Sequence, residues 1–599
     1  MPADRRKAPP VWEQRTRLFL VTLVLTGMWG WVGATLWQLQ VVHGEEYAQK
    51  AHNRFARLEE DPIASRGSIL ARGPALGFVP LAQSANRFRV VLLPRELEKP
   101  EEVFFALHAL YPELTSRQFD TWMEQDKPID IGGEITLEEF LALREDIGDE
   151  RGVRFVRATR RVYPIGSVAA HSIGVVGYKD SSQYPVGLYG IEAAYDATLS
   201  HAQLLSGKSW LSAVVGKIGS LWPTAETPKG DVVTTLDLEL QAKLEQELDA
   251  VQEEWHAKEI GGIVLDPRDG RILAAAARPV FDPNNLTDNH GSLANPLTQR
   301  TYEFGSVMKP LTVALGLEAG VITPSTTYTD TGSATYNSAT IRNHDGKARG
   351  TVDVQTILAQ SLNVGAAWVA TKLDPQWFLE KLSLMFGETS GVDLPEAPGS
   401  VTNVAAGVAA GRKIEIATAS FGQGFRTSAV AMARALSALA NGGVMPPVHI
   451  GASVITPLGK EAPIPPLAPA QRIVSEQAAH EVTQMLVRVV DETLAQGRYR
   501  DPAYATAAKT GTAQIARADG RGYRDDAYLH SFFGYFPAFA PRYVVFLYHL
   551  EPQGARYASE TLTRPFMNLR EYLLGRDVPP PDRKTAQEGD AVGNTDETR

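Results

Sequence analysis

The hydrophobic rhythm of this chain changes along its length. From residue 18 to 42 it is dominated by apolar residues and interrupted by no charge. About 20 apolar residues span a bilayer as a helix, so 18–42 is expected to be a membrane anchor. Arg5, Arg6, Lys7, Arg15 and Arg17 precede it, which places residues 1–17 in the cytoplasm and the bulk of the chain outside the membrane. A cleaved signal peptide would have a shorter apolar core and a small-x-small cleavage site, so the anchor is read as retained. No later stretch approaches spanning length, and the expected topology is single-pass.

From 43 to about 230 short apolar runs are mixed with turns and acidic stretches. Residues 66–70 read as a turn entering a strand, and 87–93 as a strand by their β-branched and aromatic content. Residues 101–110 and 137–144 have the spacing of amphipathic helices. Arg160-Arg161-Val162-Tyr163-Pro164 and Gly187-Leu188-Tyr189-Gly190-Ile191-Glu192 carry no evident chemistry, and their residue types suit turns and buried polar ties.

A second unit begins near Asp231. Residues 232–236 read as a strand, Asp237 as an N-cap, and Leu240, Leu244, Leu248, Val251 and Trp255 as one apolar helix face. Residues 262–265 and 271–274 flank Asp266-Pro267-Arg268-Asp269-Gly270, a hairpin with turn residues between its strands. Further strands are expected at 505–515, 531–535 and 543–550, and helices around 306–318, 352–361 and 427–440. Strands at both ends with helices between predict an α+β domain, one antiparallel sheet packed by helices. Residues 577–599 are polar and proline-rich and are expected to be a disordered tail. The expected divisions are therefore 1–17, 18–42, 43–230, 231–576 and 577–599.

Composition narrows the chemistry. A length of 599 residues with 44% hydrophobic and 21% charged residues suits several folded domains. The net charge of −10 argues against a nucleic-acid partner. With no cysteine, disulfides, thiolate catalysis and zinc–thiolate sites are excluded. The twelve histidines show no metal-ligand pairing, so no cofactor is expected. His290 and His344 fall in polar loops and read as surface residues.

Three short strings supply candidate catalysis: Ser306-Val307-Met308-Lys309, Ser361-Leu362-Asn363 and Lys509-Thr510-Gly511. On a helix Ser306 and Lys309 emerge on one face, a nucleophile beside an amine. For Lys309 to act as a base its pKa must fall from about 10.4 toward neutrality, through burial or a neighbouring cation such as Lys509. Ser361 would relay a proton, and the Asn363 carboxamide would hold a substrate's backbone amide. Gly511 inside a strand marks a close approach; Thr510 and Thr512 would bind a terminal carboxylate, with Lys509 adding charge. The amides of Ser306 and Thr512 are candidate oxyanion donors. Each string alone is common; their ordered conjunction is the serine-acylase signature.

With these strings the chain resembles the class B penicillin-binding proteins, and the likeness covers roughly residues 60–570. Phe281-Asp282-Pro283-Asn284, Gly422-Gln423-Gly424 and Ala440-Asn441-Gly442-Gly443 are similar to that family's turns. Arg66-Gly67 and Arg161 with Tyr163-Pro164 resemble its pedestal motifs. Phe304 stands where the family commonly has proline, and Ala71 where the pedestal motif commonly has aspartate. The resemblance implies a transpeptidase domain behind a mixed α/β pedestal or dimerisation-like domain. It implies a membrane-bound, periplasmic peptidoglycan D,D-transpeptidase, acylated by β-lactams and most similar to the division-specific FtsI type. Its implied partners are peptidoglycan stem peptides and a multi-spanning glycan polymerase met through anchor and pedestal. The elongation type is the nearest alternative; a D,D-carboxypeptidase or a non-catalytic β-lactam-binding scaffold ranks lower. A class A β-lactamase would need a deacylating Glu-x-x-Leu-Asn string, which 364–508 lacks.

Overall fold

The computed structural model describes Met28 and residues 66–583 apart from 74–76, 149, 180–184, 201–227, 287–292 and 518–521. The expected anchor lies, Met28 excepted, outside the described residues, as do His290 and residues 584–599. Among the described residues no helix is long and apolar enough to cross a membrane.

The first strand, β1 (Ile69–Arg72), turns back onto the long β2 (Phe78–Leu92). Helices α1 (Pro100–Leu110) and α2 (Leu137–Ile147) follow where their apolar spacing predicts them. A capping box between Thr136 and Glu139 starts α2 and satisfies amides that would otherwise be unpaired. Strand β3 (Val153–Val162) pairs antiparallel with β2 from Gln83↔Val162 to Leu92↔Val153. Val90, Leu92, Val103, Leu107, Phe119 and Leu143 form the core of this head.

Behind it the expected polar ties are found. Glu192 is 0% exposed and accepts Arg66 Nε and Arg161 Nε, each at 2.7 Å. Arg161 Nη1 also donates to Gly67 O at 2.8 Å, and Arg66 Nη1 to Asp196 at 2.7 Å. Burial disfavours the Arg66 cation, but Glu192 and Asp196 outweigh it, so its pKa is raised.

The boundary near 230 is crossed by a sheet. Strand β4 (Asp231–Thr234) lies parallel to β1, with Ile69↔Val232 and Leu70↔Val233 in register. Its other edge takes Gly451–Ile455, which in turn pairs with Glu461–Pro463. Gly67 is needed at this crossing, since a Cβ there would stand 2.3 Å from Gly230 O.

The second half is built on a five-stranded antiparallel sheet. Helix α3 (Leu238–Trp255) starts at Asp237, whose carboxylate accepts the Leu240 amide. Strands β5 (Glu259–Leu265) and β6 (Ile272–Arg278) are the expected hairpin. Between the halves of the sheet comes the helical portion, including α4 (Lys309–Glu318). Strands β7 (Ala507–Ala516), β8 (Tyr523–Phe536) and β9 (Tyr543–Leu550) complete the order β7-β8-β9-β5-β6. Helix α5 (Thr563–Asp577) packs with α3 on one face, against Phe532, Phe536 and Leu547. Phe533, Tyr535, Phe546 and Tyr548 face the helical portion. The sheet is thus buried on both faces, which explains its near-continuous apolar strands.

Several boundaries differ from the expected ones, among them the start of β2 at Phe78 rather than 87 and of α4 at Lys309 rather than 306. Strand β8 begins at Tyr523 rather than 531, because its first residues are polar and partly exposed and show no strand alternation. The helix expected over 352–361 begins at Val354, where Asp353 caps it by accepting the Thr356 amide. Ordered contacts continue past residue 576: Asp582 accepts the amides of Ala505 and Phe539, and Arg583 pairs with Asp491 at 2.7 Å. Residues 582 and 583 are thus held against the body, Asp582 through two backbone amides and Arg583 through an ion pair.

Candidate active site

Ser306 lies in a 3-10 turn, Gly305–Met308, that feeds directly into α4. Pro310 sits in the first turn of α4, where a missing N–H costs no intrahelical bond. Gly305 has φ +70° and donates its amide to Gly422 O at 3.0 Å. A Cβ on Gly422 would fall 2.0 Å from Gly305 O, so the 422–424 turn clamps the Ser306 turn from one side. Strand β7 clamps it from the other. A Cβ on Gly511 would meet Ser531 Oγ at 2.3 Å and Phe304 O at 2.7 Å, and Ser531 Oγ itself donates to Phe304 O at 2.7 Å. The Thr512 backbone is also brought against Gly305.

Phe304, the departure from the family's usual proline, is 1% exposed. Its ring meets Tyr302, Phe546 and Tyr548 edge-on. The hydroxyls of Tyr302 and Tyr548 both donate to Glu259, which also pairs with Arg300. Packing in an aromatic cluster fixes the approach to Ser306 here.

Lys309 is fully buried, and its Nζ reaches four oxygens. These are Ser306 Oγ at 3.0 Å, Ser361 Oγ at 3.1 Å, Ser361 O at 2.6 Å and Asn363 Oδ1 at 2.8 Å. Burial first, and then the charge of Lys509, lowers its pKa well below the ordinary lysine value. A neutral amine fits this set: two N–H groups serve the carbonyl oxygens of Ser361 and Asn363. Its lone pair is then left for the Ser306 hydroxyl.

Ser361 has φ +54°, a left-handed conformation that non-glycine residues adopt at a cost. This places its hydroxyl between the two lysines, 3.0 Å from Lys509 Nζ. Lys509 is 3% exposed, also donates to Thr510 O at 2.9 Å, and is pushed down to about 7 by burial. Asn363 opens the helix Asn363–Ala370. Its carboxamide, expected to hold a substrate amide, is engaged at both ends here, with Nδ2 donating to Arg342 O at 3.0 Å. Thr512 Oγ1 accepts the Ala558 amide at 3.1 Å.

All three strings thus meet at one place. Sequence reasoning passed over its surroundings. His344, read as a surface residue, is exposed, but its ring meets that of Tyr557 at 5.8 Å beside the site. Behind β7, His530 and His549 share the Thr561 hydroxyl at 3.0 and 2.9 Å. Burial lowers His530 to about 4, and burial together with His530 lowers His549 well below its ordinary value. Their partners are far apart in the chain and leave no local signature. Among the described residues no group of acids and histidines is arranged to hold a metal.

Residues 260–568 match the family described as "Penicillin binding protein transpeptidase domain", and 62–203 match "Penicillin-binding Protein dimerisation domain". The chain is 27% identical over 581 residues to stage V sporulation protein D of Bacillus subtilis, covering 94% of this chain and 86% of that protein. It is 28% identical over 573 residues to the probable peptidoglycan D,D-transpeptidase FtsI of Caulobacter vibrioides, covering 92% and 86%. Penicillin-binding protein 3 of Mycobacterium tuberculosis, solved with aztreonam, superposes with a TM-score of 0.63 at 24% identity over 88% of this chain and 98% of that one. Penicillin-binding protein 2X of Streptococcus thermophilus gives a TM-score of 0.68 at 22% identity over 89% and 82%. With a transpeptidase domain over half its length and a dimerisation domain ahead of it, the chain belongs to the class B penicillin-binding proteins.

Proposed function

We infer that this peptidoglycan D,D-transpeptidase works through Ser306, with Lys309 as its base. The observation that carries the assignment is the buried Lys309 amine 3.0 Å from the Ser306 hydroxyl, with both carbonyl partners supplied by Ser361 and Asn363. Lys509, Thr510 and Thr512 receive the terminal carboxylate of a stem peptide, and Gly511, with no side chain, lets β7 press against the turn that carries Ser306. Ser306 Oγ attacks the penultimate D-alanine carbonyl and gives its proton to Lys309. The oxyanion takes the amides of Ser306 and Thr512, contacts typically worth about 3–4 kcal/mol. Collapse breaks the amide bond, the proton returns to the leaving nitrogen through the Ser361 hydroxyl, and D-alanine departs. An amine of a second stem then attacks the ester, its proton passes to the same relay, and the cross-link forms as Ser306 is released. A β-lactam enters by the first step and stops at the ester.

The uncharged 18–42 stretch behind basic residues supports a single-pass anchor, an extracytoplasmic catalytic body and a membrane-embedded polymerase as partner. A relative carrying the name FtsI supports septal wall synthesis over side-wall synthesis. The test is labelled penicillin with the protein and with Ser306→Ala. A long-lived adduct that vanishes in the variant is expected, whereas rapid release of hydrolysed drug would refute transpeptidation.

A further inference from the structure

We propose that His344 and Tyr557, meeting ring to ring across the mouth of the cleft, form an end-stop. It restricts the ligand to one whose chain finishes at the carboxylate received by Lys509, Thr510 and Thr512. The inference rests on the catalytic reading above and assigns to these two residues the choice of a terminal over an internal D-alanyl-D-alanine unit.

The rings arrive from opposite walls. His344 follows the hairpin Ser333–Tyr336/Ala339–Arg342, and its loop is fastened to the Ser361 side. Arg342 O accepts from Asn363 Nδ2 at 3.0 Å, and Asn343 Oδ1 accepts the Val364 amide at 3.1 Å. Asn343 Nδ2 in turn donates to both oxygens of buried Asp330 at 3.0 Å. Tyr557 precedes the short helix Ala558–Thr561 and is fastened to the β7 side, where the Ala558 amide donates to Thr512 Oγ1 at 3.1 Å. The rings meet edge to face, 5.8 Å apart at 84°.

Four contacts therefore run in a loop around the carboxylate end: Lys509 to Ser361, Asn363 to Arg342, His344 to Tyr557, and Ala558 to Thr512. Partial burial of the ring, opposed by Asp345 and aided by the nearby Lys509 charge, holds the His344 pKa below the ordinary value. Neither wall is loosely held. Glu560 accepts the amides of Arg556 and Tyr557 at 3.1 and 3.2 Å, and the Arg556 guanidinium lies over the Tyr557 ring. His530 Nε2 lies 3.1 Å from Arg556 O, and both core histidines hold Thr561. On the other side Arg349 pairs with Asp345 at 2.8 Å. A residue joined beyond the carboxylate would have to part these rings, and each is braced by its own wall.

The test compares two acylating probes on the purified protein. One is benzylpenicillin, whose carboxylate is terminal; the other is benzylpenicillin with glycine joined to that carboxyl as an amide. Rates of adduct formation on Ser306 are read by mass spectrometry. The unaltered protein is expected to prefer benzylpenicillin strongly. In the His344→Ala/Tyr557→Ala double variant the rate ratio of extended to parent probe should rise about tenfold or more. His344→Ala alone, at an exposed position, should shift the ratio in the same direction. It serves if the double variant has no melting transition. A ratio within about twofold of the unaltered value in a folded variant overturns the end-stop. No adduct from benzylpenicillin and unaltered protein overturns the catalytic reading instead.

Discussion

Two lysines share one serine hydroxyl at the centre of this site, and both cannot keep a proton comfortably. Lys309 is the one that loses it, since burial and the charge of Lys509 act on it together. The active form then has Lys309 neutral and Lys509 charged. Below the Lys309 value the proposed base is occupied; above about 7, Lys509 sheds the charge proposed to receive a carboxylate. The second-order rate of acylation by penicillin should therefore be bell-shaped in pH, with its descending limb near neutrality. In Lys509→Arg, whose guanidinium stays charged, that limb should move out of the measured range. An unchanged limb would remove Lys509 from this role. Lys309→Met should lower the same rate constant by about 10²–10⁴-fold, the range for a positioned base. The strings of serines and lysines were legible in sequence because their order alone is rare. The left-handed backbone at Ser361 was not, since residues 52 to 54 apart in the chain set it through Lys309.

At the scale of elements, β7 and the turn before α4 behave as one unit, pressed together where Gly511 has no side chain. Gly511→Ala would push Ser531 and the Phe304 carbonyl outward and carry Ser306 with them. The expected outcome is a penicillin acylation rate lower by about 10²-fold or more, the cost of a misplacement near 1 Å, with cooperative melting retained. Acylation at the unaltered rate would show that the turn adjusts without moving its nucleophile. Helix α3 was readable residue by residue, because its cap and its apolar stripe are local features. The 3-10 turn at 305–308 was not, because Gly422 and β7 impose it from outside the segment. Phe304 shows the same limit: apart from Tyr302, its ring partners Phe546 and Tyr548 lie far along the chain.

Over the whole molecule, the motifs without chemistry turn out to be joints. Asn284 donates to Tyr163 O and accepts the Tyr163 amide, at 2.8 and 2.9 Å, which links the 281–284 turn to the head. The Tyr195 hydroxyl donates to Asp393, which also accepts the amides of Ile450 and Gly451. Sequence showed that 160–164 and 187–192 suit polar ties but not what they tie, since Tyr163 meets Asn284 121 residues away and Glu192 meets Arg66 126 residues away. Glu192 is the most loaded of them, a single carboxylate between two buried guanidiniums. Glu192→Ala should cost roughly 3–5 kcal/mol, the usual penalty for stripping one partner from a buried ion pair. Denaturant unfolding would measure it, and a loss below about 1 kcal/mol would place the Arg66–Glu192–Arg161 group among ties of surface strength.

The crossing of β1 onto β4 has one more consequence. The half that carries Ser306 is not a module that can be lifted away at residue 230, because its strands Glu461–Pro463, Gly451–Ile455 and β4 run on through β1 into the sheet of the head. A chain begun there would carry a raw seam where Ile69 and Leu70 had lain, a strip of bare amides and carbonyls by which one copy could stitch itself to the next.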